Sequence, residues 1–398
     1  MNRSDFPLLK TGVIYLDNGA TTLKPQCVID KITEYYQEYS ANAHRGDYDL
    51  SFKVDEAYEG AREIVRKFIN ARYKEEIIFT SGTTDSLNMI VFGFFKRFLE
   101  SGDEVLITKS EHASNVIPWF MLERELGVKV KYIELDDNHY VTMENVSKAI
   151  TPNTKVISLA GITNVIGDER PIKEITEYAH ERNIFVVVDG AQSVPHRDTD
   201  VQDLDIDFLA LSGHKMCGPT GVGVLYGKKE LLESMVPVRY GGGMNESFDS
   251  ANEVYLKELP ARLEAGTPNI AGVIGLGEAI KYLEAIGMDK IKEYECDLRR
   301  YAIDKLISIP HIDIINLEAD GGIISFNVDD IFSQDVAYYL NKYHVCVRAG
   351  NHCAKILKGE VGVTNTIRMS LYFYNTKEEI DYVIDLLKDK ERILKEMI

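Results

Sequence analysis

Lys215 is a candidate for covalent chemistry, because an apolar run ends just before it and a Gly/Pro turn leads from it to a second apolar run at 222–226. This spacing predicts two strands with the lysine in the turn between them. A lysine in a loop is in most cases a solvated surface charge. If its neighbours lower its pKa, however, the amine becomes a nucleophile that captures the carbonyl group of a cofactor.

Other polar groups stand where further apolar runs end. Residues 81–84, Ser-Gly-Thr-Thr, precede a helical pattern, so their N–H groups and hydroxyls suit a phosphate, although a plain N-cap has the same composition. Asp189 could hold a protonated ring nitrogen or simply cap a turn. His112 could stack on an aromatic ring and move protons, or be an ordinary loop histidine. Ser212 and His214, beside the lysine, could reach the same phosphate.

An alternation of short apolar strands and helical patterns must position these groups. It predicts an α/β fold whose large sheet is mostly parallel and covered on both faces. In such sheets the ligand crevice lies beyond the carboxyl ends of the strands, which is where the polar groups fall. The predicted strands are 76–80, 104–108, 128–135, 155–160, 184–188, 208–211 and 222–226.

The pattern lapses between 237 and 271, and a smaller α+β domain is predicted after it. We divide the chain into a large domain, 16–262, and a small domain formed by 1–15 and 263–398. The predicted helices of the second part are 271–286, 288–308, 334–341 and 377–388, with strands near 314–315, 322–328 and 345–348.

Composition excludes several classes of function. The net charge of -18 argues against a nucleic-acid-binding surface. The five cysteines are scattered, without a C-x-x-C pair, so we expect a reducing compartment and no metal site. The N-terminal residues lack the apolar stretch of a secretory signal, and no run approaches the roughly 18 apolar residues of a membrane span. A cytoplasmic enzyme without membrane contact is expected.

Taken together, the polar groups match one cofactor, pyridoxal 5'-phosphate. Its aldehyde requires a lysine, its phosphate an anion site, its ring nitrogen a carboxylate and its ring a stacking partner. Lys215, residues 81–84, Asp189 and His112 supply these four elements. The sequence therefore predicts an enzyme that depends on this cofactor.

The same motifs resemble the class V aminotransferase family and, within it, the SufS-like (group II) cysteine desulfurases, a branch that includes selenocysteine lyases. The resemblance extends over residues 15–376. It implies the type I fold of pyridoxal-phosphate-dependent transferases and a homodimer with its site at the subunit interface. The most specific motifs are 189–192 (Asp-Gly-Ala-Gln), 212–215 (Ser-Gly-His-Lys), 264–268 (Glu-Ala-Gly-Thr-Pro) and 348–353 (Arg-Ala-Gly-Asn-His-Cys).

The resemblance implies a role for each residue that matches the family's motifs. Lys215 would hold the cofactor and His112 would stack on its ring and move protons. The other expected cofactor contacts are Thr83, Thr84, Ser212 and His214 at the phosphate, Thr267 at the phosphate of the neighbouring subunit, Asp189 at the ring nitrogen, Gln192 at the phenolic oxygen and Asn164 beside ring and substrate. Arg368 would clamp the substrate carboxylate. His44, Arg45 and Arg348 are the remaining expected substrate contacts.

Cys353 distinguishes a cysteine desulfurase from a plain aminotransferase, because only the former needs a thiol to receive sulfur. We expect its neighbours Arg348 and His352 to be positively charged, and positive neighbours favour the reactive thiolate. The alternatives are a buried, inert cysteine and a different nucleophile, Cys217, which is closer to Lys215 in sequence. Cys217 lies in a rigid turn, so Cys353 is the predicted sulfur acceptor.

The predicted activity is the conversion of L-cysteine to L-alanine, with sulfur held on Cys353 and passed to an acceptor protein of iron–sulfur cluster assembly. The alternatives are a selenocysteine lyase, another class V enzyme such as an aminotransferase or epimerase, and a non-enzymatic sulfur carrier, which would leave Lys215 and Asp189 without a role. The sequence departs from the group II motif at Asn351, usually a second histidine, and at 355–356, Lys-Ile, often Gln-Pro.

Overall fold

The strands form one large sheet, one small sheet and two short pairs in the computed structural model, which describes residues 2–43 and 46–396. In chain order they are β1 (Ile14–Tyr15), β2 (Ile77–Thr80), β3 (Glu104–Thr108), β4 (Lys129–Ile133), β5 (Thr154–Ala160), β6 (Phe185–Asp189), β7 (Phe208–Ser212), β8 (Gly223–Gly227), β9 (Asn245–Phe248), β10 (Val254–Leu256), β11 (Ile312–Ile314), β12 (Ile323–Val328), β13 (Val345–Cys346), β14 (Arg348–Gly350) and β15 (Thr366–Ser370).

The helices alternate with these strands through the first part of the chain. They are α1 (Gln26–Glu38), α2 (Asp49–Phe68), α3 (Thr83–Met89), α4 (Lys96–Phe98), α5 (Ile117–Leu126), α6 (Met143–Ala149), α7 (Ile172–His180), α8 (Lys229–Ser234), α9 (Ile270–Ile286), α10 (Met288–Leu306), α11 (Ser333–Lys342), α12 (Lys358–Val361), α13 (Lys377–Leu387) and α14 (Lys390–Glu396). A π-helical segment, Ile90–Phe95, joins α3 to α4. Within the described ranges, no helix has the length and apolarity that crossing a membrane requires.

The large sheet has the strand order β2-β8-β7-β6-β5-β3-β4. Strands β7, β6, β5, β3 and β4 run parallel, whereas β8 is antiparallel to both of its neighbours. Alternate side chains of one strand reach opposite cores: Val186 and Val188 pack on the side of α1, α2 and α9, and Val187 on the side of α5. The predicted mostly parallel sheet, covered on both faces, is confirmed.

The small sheet is antiparallel, in the order β11-β12-β15-β14, and packs against α10, α11 and α13. The N-terminal strand β1 joins this part of the molecule by pairing in parallel with β13. Helix α9, in contrast, packs on α1 and α2 within the core of the large sheet. The division of the chain at residue 262 remains a prediction.

Candidate active site

A cavity of about 210 Å³ lies beyond the carboxyl ends of β5, β6 and β7. This is the predicted position of the ligand crevice. Residues from both the large and the small sheet line it. Twelve of the predicted residues line it: Thr83, Thr84, His112, Asn164, Asp189, Gln192, Ser212, His214, Lys215, Arg348, Cys353 and Arg368. His352, predicted as a neighbour of Cys353, also lines the cavity. Sequence reasoning gave no site role to the other lining residues, which are Gly19, Ala20, Ser114, Ala160, Ile162 and Ala191.

Lys215 occupies the short 3-10 turn Gly213–Lys215 that follows β7. Burial lowers the pKa of its amine to about 8, with Arg368 acting in the same direction and Asp189 opposing it. About a tenth of the amine is therefore uncharged at pH 7, far more than for a lysine with the ordinary pKa of about 10.4. This is the state in which a lysine acts as a nucleophile or a base.

Asp189 ends β6 and is 3% exposed. The backbone N–H of Ala191 donates to its Oδ1 at 3.0 Å. Burial nevertheless raises the pKa of Asp189 to about 6, because water no longer solvates the carboxylate. A cationic group placed against this carboxylate would lower its pKa again and favour the charged form.

The predicted phosphate loop is assembled by close contact between two strand ends. Gly82 has φ 149°, a backbone conformation that favours glycine, and a Cβ on Gly223 would lie 2.5 Å from the Gly82 Cα. The Ser212 hydroxyl accepts from the Thr83 N–H at 2.8 Å and lies 2.8 Å from the Thr83 hydroxyl. The hydroxyls of Thr84 and Ser114 are 2.7 Å apart. The loop thus presents hydroxyls and the start of α3 to the cavity.

Two histidines at the cavity are neutral near pH 7. Burial lowers the pKa of His112 to about 4, and Lys215 acts in the same direction. Burial likewise lowers the pKa of His214 to about 4. The Ser114 N–H donates to His112 Nδ1 at 3.1 Å, so the neutral ring carries its hydrogen on Nε2. His112 therefore offers a hydrogen-bond donor, and His214 is uncharged near neutral pH.

Arg368 is held at the cavity by the backbone of one loop and a carboxylate of another. Its Nη1 donates to the Asn164 carbonyl at 2.9 Å and its Nη2 to Asp17 Oδ1 at 3.1 Å. Arg348 lies 3.9 Å from the other oxygen of Asp17. A Cβ on Gly19 would come within 3.1 Å of the Arg368 Cζ, so glycine leaves room for the guanidinium. Two arginines are thereby gathered around one carboxylate.

Cys353 lies in the loop after β14 and is exposed. His352 and Cys353 have φ of 49° and 61°, in the left-handed region that side chains other than glycine rarely adopt. The loop is tied to the large domain by the Ala113 N–H, which donates to the Cys353 carbonyl at 2.9 Å, and by Asn164 Nδ2, which donates to the His352 carbonyl at 2.7 Å. The strained loop holds the thiol at the rim of the cavity.

The expected positive charge on His352 is wrong. Burial lowers the pKa of His352 to about 3, and Arg368 acts in the same direction. Arg348 is therefore the charged neighbour of the two.

Cys217, the alternative nucleophile, shares the left-handed backbone of Cys353, with φ of 62°, but not its exposure. It is fully buried, and burial raises the pKa of its thiol to about 12. Its backbone N–H donates to the Thr22 hydroxyl at 2.8 Å, which fixes the turn. Cys217 is thus a packed, inert thiol.

A buried ion network behind the cavity was not predicted. Glu111 and Arg170 form an ion pair with fully buried side chains, and Arg170 also pairs with Asp168 at 3.3 Å. Glu111 accepts from Asn115 Nδ2 and from the Ala160 N–H, both at 2.8 Å. The network fixes the segments that carry His112 and Asn164. An acidic residue directly before the candidate histidine was the available sequence signal.

Of the predicted residues that the structure describes, one lies away from this cavity. Thr267 is exposed and lines a separate cavity with Tyr58, Phe79 and Glu264, so its expected role in a neighbouring subunit remains a prediction. His44 and Arg45 lie outside the described residues.

With this geometry established, the chain can be placed among known proteins. The family model for aminotransferase class-V matches residues 14–383, and the chain belongs to that family. It is similar to a probable cysteine desulfurase of Halalkalibacterium halodurans, with 45% identity over 94% of each protein. It also resembles the cysteine desulfurase of Haloferax volcanii, with 39% identity over 97% of this chain and 95% of the relative.

The solved structures agree. The apo structure of a cysteine desulfurase from Thermococcus onnurineus superposes with a TM-score of 0.94 at 37% identity and covers 99% of this chain and 97% of that one. The cysteine desulfurase CsdA (S-sulfonic acid) from Escherichia coli superposes with a TM-score of 0.93 at 36% identity, covering 100% and 98%. The predicted family and fold are confirmed.

Proposed function

We propose that the chain is a pyridoxal-phosphate-dependent cysteine desulfurase of the SufS-like branch, which converts L-cysteine to L-alanine and holds the sulfur as a persulfide on Cys353. One observation carries the proposal. An amine with a lowered pKa, Lys215, and an exposed thiol, Cys353, line the same cavity although they come from different sheets. The similarity of the chain to cysteine desulfurases supports it.

The lining residues fit this cofactor and substrate. Within residues 2–43 and 46–396, four buried polar atoms of lining side chains have no hydrogen-bond partner: Asn164 Oδ1, Gln192 Oε1, His352 Nδ1 and Arg368 Nε. Unsatisfied buried groups are costly, so a polar ligand is expected to satisfy some of them. A phosphate at residues 82–84 and a ring nitrogen at Asp189 match the groups present. The free Gln192 Oε1 suits a phenolic hydroxyl that donates to it, because Gln192 Nε2 already donates to the Gly19 carbonyl at 2.8 Å.

The cofactor, when bound, supplies an electron sink for bonds made and broken at the substrate's carbon atoms. The protein's part is to hold it. Thr83, Thr84 and Ser212 bind its phosphate, and His214 adds a neutral donor. Asp189 faces the ring nitrogen and gains a cationic partner there, while His112 packs against the ring. In a homodimer, Thr267 reaches the phosphate of the neighbouring subunit.

Substrate is oriented by the two arginines. Arg368 Nε is free within the described chain, and the adjacent Nη2 is the second donor of a fork that suits a carboxylate. Arg348 adds positive charge beside it. Lys215 Nζ, uncharged in part near neutral pH, accepts the Cα proton of L-cysteine.

Cys353 then takes the sulfur. Its thiolate attacks the substrate Sγ, an S–S bond forms, and the Cβ–Sγ bond breaks with its electron pair left on Cβ. A proton delivered to Cβ, for which His112 Nε2 offers a donor, and the return of the Cα proton from Lys215 Nζ complete L-alanine. Oxidation of Cys353 to the persulfide balances reduction of Cβ, so no outside oxidant is required. The persulfide passes to an acceptor protein of iron–sulfur cluster assembly, and the five free cysteines suit a reducing compartment such as the cytoplasm.

The test replaces one cysteine at a time. Cys353→Ser is expected to abolish both persulfide formation and alanine release while leaving the visible absorbance of the bound cofactor unchanged. Cys296→Ser, which removes a thiol outside the cavity, is the matched control and is expected to behave like the wild type. Alanine release by Cys353→Ser at the wild-type rate would exclude the role given to this thiol. Comparing L-cysteine with L-selenocysteine in the same assay separates a desulfurase from a selenocysteine lyase.

A further inference from the structure

The loop that carries Cys353 is positively charged, although the chain as a whole has a net charge of -18. Residues 345–359 contain Arg348, Lys355 and Lys358 and no Asp or Glu. Lys355 and Lys358 are exposed, and the Arg348 side chain is 47% exposed. An exposed thiol thus stands among exposed cations.

The carboxylates at this loop pair with Lys109, with Arg368 and with the loop's own Arg348. Glu360, at the end of the loop, pairs with Lys109 at 2.8 Å, and Glu134 pairs with the same lysine at 3.3 Å. Asp17 lies between Arg348 and Arg368. In the described part of the chain, Lys355 and Lys358 form no ion pair. Their charge is available to a partner.

We propose that this loop docks a sulfur acceptor whose thiol is surrounded by carboxylate side chains, an inference that rests on the function proposed above. Exposed cations beside the exchange site attract an acidic partner and favour its productive orientation. The acceptor thiolate attacks the outer sulfur of the Cys353 persulfide. A new S–S bond forms on the acceptor, the old one breaks, and Cys353 leaves as a thiolate beside Arg348. The acceptor thiol is oxidised to a persulfide while Cys353 is reduced, so electrons balance.

The test offers three thiols to the holoenzyme during turnover of L-cysteine. They are a pentapeptide with a central cysteine flanked by glutamates, its counterpart flanked by lysines, and neutral dithiothreitol. Each peptide rate is divided by its rate with neutral hydroxyethyl disulfide, which removes differences in intrinsic thiol reactivity. At low salt the acidic peptide is expected to accept sulfur about tenfold faster than the basic one, and the gap should close near 1 M salt, where the Debye length is about 3 Å.

Charge reversal completes the test. Lys355→Glu/Lys358→Glu is expected to abolish or invert the preference for the acidic peptide, while alanine formation with dithiothreitol stays unchanged. Lys10→Glu/Lys290→Glu, at two exposed lysines that do not line the cavity, is expected to retain the wild-type preference.

The outcomes separate this inference from the proposed function. Equal rates for the two peptides at low salt, or a preference that survives the Lys355/Lys358 reversal, would overturn the acidic acceptor alone. Absence of a Cys353 persulfide and of sulfide release with dithiothreitol would overturn the desulfurase proposal as well.

Discussion

The two reactive side chains occupy opposite kinds of surroundings. Lys215 lies in a turn between strands of the large sheet, where burial lowers the pKa of its amine. Cys353 lies in a loop of the small sheet with a left-handed backbone, exposed and held by a few hydrogen bonds. One half of the site lies partly buried among the strand ends of the large sheet, and the other is exposed.

The difference corresponds to the two tasks proposed for them. Proton transfer at carbon is served by a buried amine whose pKa is close to neutral, since such a base is matched to the working pH. A sulfur atom that must leave the protein is served by an exposed thiol. Burying the second group, or exposing the first, should therefore damage only one part of the reaction.

The largest effect is expected from Lys215→Arg. The guanidinium stays protonated at all physiological pH values, so it neither captures an aldehyde nor accepts a proton. Alanine formation should fall by about 10³-fold or more, as the loss of a catalytic base implies. A melting temperature close to that of the wild type would show that the fold is intact. Retention of most of the activity would remove Lys215 from the mechanism.

Arg170→Met tests the buried ion network that lies behind the cavity. The change leaves Glu111 and Asp168 buried without a cation and should lower the free energy of unfolding by about 3–5 kcal/mol. Arg300→Met breaks a pair whose arginine is 71% exposed and should cost less than about 1 kcal/mol. Denaturant titration of the two variants measures the contrast. Similar losses in the two variants would mean that burial does not determine how much the ion network contributes to the free energy of unfolding.

Cys217→Ala separates the two kinds of cysteine. The substitution removes a buried sulfur and should lower the free energy of unfolding by roughly 1 kcal/mol, the cost of a small cavity. Persulfide formation, measured by thiol-specific labelling and mass spectrometry, should be unchanged because Cys353 is still present. Loss of the persulfide in this variant would contradict the contrast drawn between the two thiols.

The smallest effect is expected at His180, whose pKa is shifted in the opposite direction from those of the histidines at the cavity. Hydrogen bonding to Asp207 raises the pKa of His180, with Asp205 acting in the same direction, whereas burial lowers the pKa of His112. A raised folded pKa stabilises the protein below the unfolded value of about 6.5 and loses that contribution as the pH rises through the folded value. His180→Gln should remove this dependence, worth less than about 1 kcal/mol at a half-buried pair. Melting temperatures of both proteins between pH 6 and 9 test it, and parallel curves would contradict it.

The elements that sequence reasoning found share a simple cause. Strands β3, β5, β6 and β7 are buried on both faces, so each is an apolar run that stands out in any window. Because their polar residues follow at the same sheet edge, seven lining residues could be predicted in this way, whereas Asn164, Gln192, Arg348, Cys353 and Arg368 were expected from the resemblance to the family. The lysine, the aspartate and the phosphate loop belong to this group.

The features that the sequence did not predict have no recognisable pattern among neighbouring residues. The β9–β10 hairpin is largely exposed and has no apolar alternation, and β15 hides a buried arginine, Arg368, within a short mixed run. The Glu111–Arg170 pair joins residues that are distant in sequence, and the neutrality of His352 depends on burial. Long-range pairing and desolvation arise only in the folded chain, so neither can be read from residue types.

The parallel pair of β1 and β13 has a consequence for protein synthesis. Ile14 and Tyr15 leave the ribosome early, yet their partners Val345 and Cys346 are made near the end of translation. At elongation rates of about 5–20 residues per second, the first strand waits on the order of half a minute for its neighbour. The strands of the large sheet are complete by residue 227 and α9, which packs in its core, by residue 286, both before β13 is made. The cavity, which needs Arg348, Cys353 and Arg368, therefore forms only at the last stage of synthesis, so a truncated nascent chain should have no desulfurase activity.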